Sequence, residues 1–213
     1  MESIYENTKL AVENIAEDSK IHIYVSLHKD FYVADNKFFR PIQVGSVLAE
    51  ERIEGVIHDD EGDNISEKNK SFCELTAQYW AWKNDLDADY YGFFHYRRYL
   101  SFNPIQLEHY ENIVHFDYCD DEAVQKIMLD EKIMENLISQ YDVIYPMKNP
   151  LDGGTVYDHW VKHLVKSDID LLMKIIMEKY PDFYEYAVEV MNSKVAIHCN
   201  MFIMKKELFN AYN

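Results

Sequence analysis

Runs of apolar and β-branched residues recur along this chain, each followed by a stretch with helical periodicity. That alternation restricts the fold more than any other feature. Ile21-His22-Ile23-Tyr24-Val25-Ser26 is the clearest strand, rich in β-branched residues and bounded by polar ones. Tyr90–Tyr96, Tyr141–Pro146 and Cys199–Met204 repeat the pattern, and Pro41–Gly45 is a further short strand or a loop. Between these runs, Phe72, Leu75, Thr76, Tyr79 and Trp82 share one helical stripe, and Ser71 and Glu74 stand at capping-box spacing. Glu122–Gln140 reads as one long helix with Val124, Ile127, Met128, Ile133, Met134, Leu137 and Ile138 inward, and Tyr141–Pro146 after it reads as a buried strand. Gly153-Gly154-Thr155 opens a helix to about Val165, Asp168–Lys179 and Asp182–Met191 give two more, and a last begins at Lys205. Strands that alternate with helices bury their apolar faces best as a mostly parallel sheet flanked by helices, an α/β fold.

The 213 residues suffice for one domain. We assign residues 1–19 to an N-terminal extension with a short helix and 20–213 to the domain, whose last helix is cut by the chain end, so a C-terminally truncated domain is expected. Charge separates the function classes: 21 Lys and Arg stand against 38 Asp and Glu, a formal −17. Such a surface repels polyanions and argues against nucleic-acid binding by phosphate neutralisation. Cys73, Cys119 and Cys199 have no close spacing, so neither a disulfide framework nor a zinc pattern is present. No signal peptide and no transmembrane segment is visible, which points to the cytoplasm, with peripheral attachment at the inner membrane face as the alternative.

Against that acidity, one motif stands out. The strand ending Phe93-Phe94-His95-Tyr96-Arg97-Arg98-Tyr99 runs into two adjacent arginines. Guanidinium groups match phosphate oxygens as planar forks, and in open α/β sheets ligands sit beyond the carboxyl ends of strands. Arg97 and Arg98 are therefore candidates for a diphosphate, surface ion pairs being the plainer reading. His95 can ligate a metal, donate to phosphate or act as a base, or be a satisfied structural group; Tyr96 and Tyr99 can stack on a base or pack in the core. In the loop Asp59–Ser66, the carboxylates of Asp59, Asp60 and Asp63 offer hard oxygen ligands for Mn²⁺ or Mg²⁺, with Asp60 and Asp63 also candidate catalytic bases. Asn64 and Ser66 can hydrogen-bond a sugar or ribose, and a solvated acidic loop is the alternative. Gly153-Gly154-Thr155 could present backbone N–H groups to an anion or form a flexible loop. His159 and His163 lie one helical turn apart without an acidic third ligand, which makes His159 a residue of an exposed or acceptor-lining face.

Taken in order, these segments resemble a bacterial family of capsular and exopolysaccharide glycosyltransferases, long catalogued as a domain of unknown function. The resemblance rests on Ile23–Lys29, Pro41–Gly45, Asp59–Ser66, Cys73–Thr76 with Tyr79–Asn84, His95-Tyr96-Arg97-Arg98-Tyr99 and Asn200–Lys205. It implies a GT-A-like fold and transfer of a hexose from a UDP-sugar donor to a glycan or lipid-linked glycan acceptor; some relatives look like galactofuranosyltransferases. It also implies that Ser26 and His28, after the first strand, receive the nucleotide, and that Asn200 heads an acceptor-side strand. His95-Tyr96-Arg97 stands where many GT-A enzymes carry a metal-binding Asp-x-Asp. Two other functions compete: a metal-dependent phosphoesterase built on Asp59–Asp63 and His95, and a non-catalytic sugar-nucleotide-binding module.

Overall fold

The computed structural model describes residues 19–103 and 115–213; the helix expected in the N-terminal extension lies outside them. In chain order the elements are β1 (Ile21–Leu27), β2 (Phe39–Gln43), β3 (Ile57–His58), α1 (Asn69–Phe72), α2 (Leu75–Asn84) and β4 (Tyr90–His95). They continue with α3 (Asp121–Lys126), α4 (Glu131–Ile138), β5 (Val143–Ile144), β6 (Asn149–Pro150) and α5 (Val156–His163). The last are α6 (Lys166–Lys179), α7 (Pro181–Asn192), β7 (Val195–Ala196), β8 (Phe202–Lys205) and α8 (Lys206–Tyr212). The chain forms two compact units, one running to Tyr145 and resuming at Asn200–Asn213, the other Pro146–Cys199.

The first unit is the expected α/β fold. Its six-stranded sheet has the order β3-β2-β1-β4-β8-β5. β3, β2, β1 and β4 pair in parallel, and β8 runs antiparallel to both β4 and β5. Alternation along each strand divides the core between two faces. Ile21, Ile23, Val25, Leu27, Phe94 and Ile203 point to one face, which packs against Ile127, Met134 and Ile138 of the α3–α4 region. Tyr24, Ile42, Tyr91, Phe93 and Phe202 point to the other, against Ala77 and Ala81 of α2 and Phe209 of α8. The two alanines let α2 lie close to the aromatic rings of β1 and β4. Gly92 permits a second close approach, since a Cβ there would stand 2.9 Å from Ile203 Cγ1 and 3.0 Å from Ile23 Cγ1.

Three expectations need correction. The single helix over Glu122–Gln140 is two, because Met128 adopts a left-handed backbone (φ 53°) and Asp130 restarts the helix, its carboxylate accepting from the N–H groups of Lys132 and Ile133. The strand after it is not buried: β5 is two residues long at the sheet edge, with Val143 exposed. Pro41 lies within β2 rather than opening a strand; β3 pairs only with Ile42 and Gln43, so at Pro41 the strand has a free edge where a missing N–H costs little.

The second unit joins α5, α6 and α7 with the small β6–β7 ladder. α5 begins at Thr155, whose side chain and Asp158 form a reciprocal cap, and α7 begins with Pro181 in its first turn.

Candidate functional site

The strand order places a topological switch between β1 and β4. The chain leaves β1 toward β2 and β3 on one side, then returns through α1 and α2 to β4 on the other. Connections diverge there, and in open α/β sheets such a point, beyond the carboxyl ends of the two strands, is where ligands bind. Three of the loops at the carboxyl ends of the parallel strands carry candidate residues: 28–37 after β1, 59–66 after β3 and the turn after β4.

That last turn is tight. His95 and Arg98 exchange backbone hydrogen bonds (3.2 and 3.0 Å), and the Tyr96 N–H donates to the Ser26 carbonyl at 3.2 Å, tying the turn to β1. Strand alternation then sends His95 and Tyr96 to opposite faces. Tyr96 is buried with Phe94, and its ring meets Phe31 (centroids 4.8 Å) and His28 (5.0 Å) edge-on. The Arg97 guanidinium stands 4.9 Å from the same ring and Lys29 Nζ 6.0 Å from it. Arg97 and Arg98 are both exposed. Among the described residues no carboxylate lies within ion-pair distance of either, and the charge of Arg98 is felt at a longer range by Glu74. The cationic field is felt by His28, whose proton affinity is lowered by burial and then by Lys29 and Arg97. In a chain of net charge −17 this is a local concentration of positive charge.

His95 emerges on the face covered by α2. Its Nε2 stands 3.6 Å from Glu74 Oε1, both side chains being mostly buried. Glu74 is not the capping-box partner of Ser71: α1 ends at Phe72, Cys73 turns the chain with φ 48° and ψ −129°, and α2 starts afresh at Leu75. The Glu74 carboxyl is held below its ordinary range by His95 above all, against the opposing effect of burial, with Arg98 adding to the lowering.

In the Asp59–Ser66 loop the carboxylates are separated by what they bind. Asp59 is fully buried and accepts four hydrogen bonds, from the N–H groups of Gly45 (2.7 Å) and Ser46 (2.9 Å) and the hydroxyls of Ser66 and Thr76 (2.6 Å each). Gly45 can donate because it takes φ 66°, and a Cβ on it would strike Asn69 at 2.7 Å. Asp60 forms a bidentate pair with Arg52 (2.7 and 3.1 Å), and Asp63 accepts from the Tyr79 hydroxyl at 3.0 Å. Asn64 donates to the Asp60 and Gly62 carbonyls and accepts from the Ser66 N–H. The polar side chains of this loop fold the loop itself. Among the described residues no three His, Cys, Asp or Glu side chains converge as a metal centre, so Asp59, Asp60 and Asp63 are not gathered as ligands.

Asn200 precedes β8, whose Phe202 pairs with Phe93, so it lies at the sheet edge from which His95 emerges. His159 belongs to the second unit, exposed and with its ring 4.6 Å from that of His163. There the Gly153-Gly154-Thr155 start offers no open anion site, because the Asp158 carboxylate already accepts from the Thr155 N–H at 2.8 Å. The cleft between α5, α6 and α7 likewise has its acids engaged, Asp170 by Tyr157 and Lys166. The structure thus places Ser26, His28, His95, Tyr96, Arg97 and Arg98 at or just past the carboxyl ends of β1 and β4, and brings Lys29 and Glu74, which the sequence reading did not select, beside Tyr96 and His95 respectively. Lys29 was legible by the argument used for Arg97, a cation just past a strand end; Glu74 was hidden behind its capping-box spacing.

Residues 22–213 match the model of a family described as a domain of unknown function, DUF4422. Among solved structures the chain is similar to the apo structure of WbbM, a bifunctional glycosyltransferase, with a TM-score of 0.83 and 32% identity over 92% of this chain. The match covers 35% of WbbM, so the chain spans about a third of that protein's length. Among curated proteins none matches it significantly.

Proposed function

The chain belongs to the DUF4422 family, and from that premise we propose that it is a glycosyltransferase domain of GT-A type that binds a UDP-sugar at the β1–β4 switch point. One observation carries the reading: Arg97, Arg98 and Lys29 gather positive charge at the switch point of an otherwise strongly acidic chain, and Lys29 and Arg97 help to lower the proton affinity of His28 beside them. Fixed guanidinium charge there stabilises the diphosphate as it departs, because the donors are already oriented before the bond breaks. Ser26 lies at the nucleotide side of that point, and Asn200, from the antiparallel strand, at the acceptor side. The sugar is a hexose, with galactofuranose the first to try, and the acceptor is a glycan or lipid-linked glycan of capsular or exopolysaccharide assembly. Of the three catalytic candidates His95 is favoured, since Asp60 is engaged by Arg52 and Asp63 by Tyr79. The phosphoesterase reading loses ground for the same reason: its carboxylates are spent on the loop.

The test is thermal stabilisation by UDP and UDP-hexoses, with and without Mn²⁺, since a ligand that binds only the native state raises apparent stability. UDP is expected to raise the melting temperature of the wild type, and Arg97→Ala with Arg98→Ala to abolish the rise while leaving the unliganded melting temperature within about 1 °C. A rise that survives both substitutions refutes the site. Binding without sugar transfer to any acceptor would favour the non-catalytic module.

A further inference from the structure

We infer that Glu74 is a positioning residue which holds the His95 imidazole as the general base for the acceptor hydroxyl. This rests on the transferase reading and goes beyond it by naming the group through which His95 works.

Three features of the structure converge on the pair. His95 is the last residue of β4, so its backbone is fixed by the central ladder, while its ring turns to the face where α2 begins. Glu74 meets it there with Oε1 3.6 Å from Nε2, and the Glu74 side chain makes no helix cap. The presentation of Glu74 requires the corner at Cys73, where a residue with a side chain is held at φ 48°. Backbone of that kind persists only where its surroundings enforce it. Among the described residues neither ring nitrogen makes a hydrogen bond: Nε2 stands at ion-pair distance from Glu74, and Nδ1 has no polar side chain that close. The charged groups around the pair are Glu74, from the corner between α1 and α2, and Arg98, from the turn after β4.

The chemistry follows from the two ring nitrogens. With Nε2–H directed at the Glu74 carboxylate, the lone pair resides on Nδ1, and a carboxylate behind the ring stabilises the imidazolium that forms when Nδ1 takes a proton. In the transfer step the acceptor oxygen forms its bond to the anomeric carbon and gives its proton to Nδ1. The bond from that carbon to the diphosphate oxygen breaks, and its electron pair leaves on the diphosphate, which Arg97 and Arg98 face. The proton on His95 then passes to solvent.

Two measurements test this. The first is UDP release from UDP-galactopyranose and UDP-galactofuranose by wild type, Glu74→Gln, His95→Ala and the double variant. Glu74→Gln is expected to lower turnover about tenfold or more with the donor KM unchanged. The double variant should be no slower than His95→Ala, since Glu74 acts only through that ring. Wild-type turnover in Glu74→Gln, or losses that multiply in the double variant, overturn the inference. The second needs no activity: the ring nitrogen shifts of a ¹⁵N-histidine-labelled wild type should place the proton of the neutral His95 ring on Nε2 and leave Nδ1 bare, and a proton held on Nδ1 overturns the pairing. If the wild type releases no UDP and shows no UDP-induced stabilisation, the transferase reading fails, and the tautomer measurement still decides whether Glu74 orients His95.

Discussion

A single carboxylate fixes the geometry of two loops at the sheet's carboxyl edge. Asp59 receives two backbone N–H groups from the turn after β2, one hydroxyl from its own loop and one from α2. Removing it leaves those donors buried without an acceptor, and each such group costs about 1–3 kcal/mol. Asp59→Ala should therefore lower unfolding free energy by about 3 kcal/mol or more in urea denaturation, whereas Asp63→Ala, at an exposed hydrogen bond, should change it by less than about 1 kcal/mol. Equal effects would remove the distinction. In the sequence these two aspartates look alike, four residues apart in one polar loop. What separates them is burial, which depends on where Gly45, Ser46 and Thr76 come to lie. Local residue chemistry reported that the loop was acidic; it carried no sign of which acid was structural. The arginine motif was legible for the opposite reason, because guanidinium groups at a strand end are costly to bury and so remain on the surface.

Among the elements, periodicity located strands and helices well and their interruptions poorly. Alternation in β1 and β4 predicts the two-faced core, and it also decides that His95 faces α2 while Tyr96 faces Phe31. The breaks at Cys73 and Met128 interrupt otherwise continuous helical spacing, and neither residue type favours a left-handed backbone. They are tertiary decisions, imposed by where each helix must start to cover the sheet. Cys73 gives a direct measurement of that cost. Its side chain is exposed, so replacing it loses little packing, and glycine adopts positive φ without steric penalty. Cys73→Gly should raise stability by about 1 kcal/mol, read as a higher denaturation midpoint. A lower midpoint would mean that the corner is not strained.

At the scale of the molecule, the opposite end of the sheet holds a carboxylate of its own: near the amino end of β1, Asp85 accepts from the Tyr24 hydroxyl and pairs with His22. Burial pushes the Asp85 carboxyl up, but the bonds from His22 and Tyr24 outweigh it and hold the group below its ordinary value. A depressed carboxyl contributes stability that is complete above the unfolded value, about pH 3.9, and is lost as pH falls through the lower folded value. Asp85→Asn should thus flatten the acid limb of a plot of melting temperature against pH; a limb as steep as the wild type's would assign acid sensitivity to other groups. The pairing of β5 with β8 has a different kind of consequence. Val143 lies against Met204 and Ile144 against Ile203, so the chain departs from the sheet and comes back at adjacent positions, with Pro146–Cys199 between. Such an excursion is replaceable: related sequences can lengthen, shorten or exchange it without re-threading a single ladder. Variation within this fold has, in that segment, an entry point that leaves the scaffold untouched.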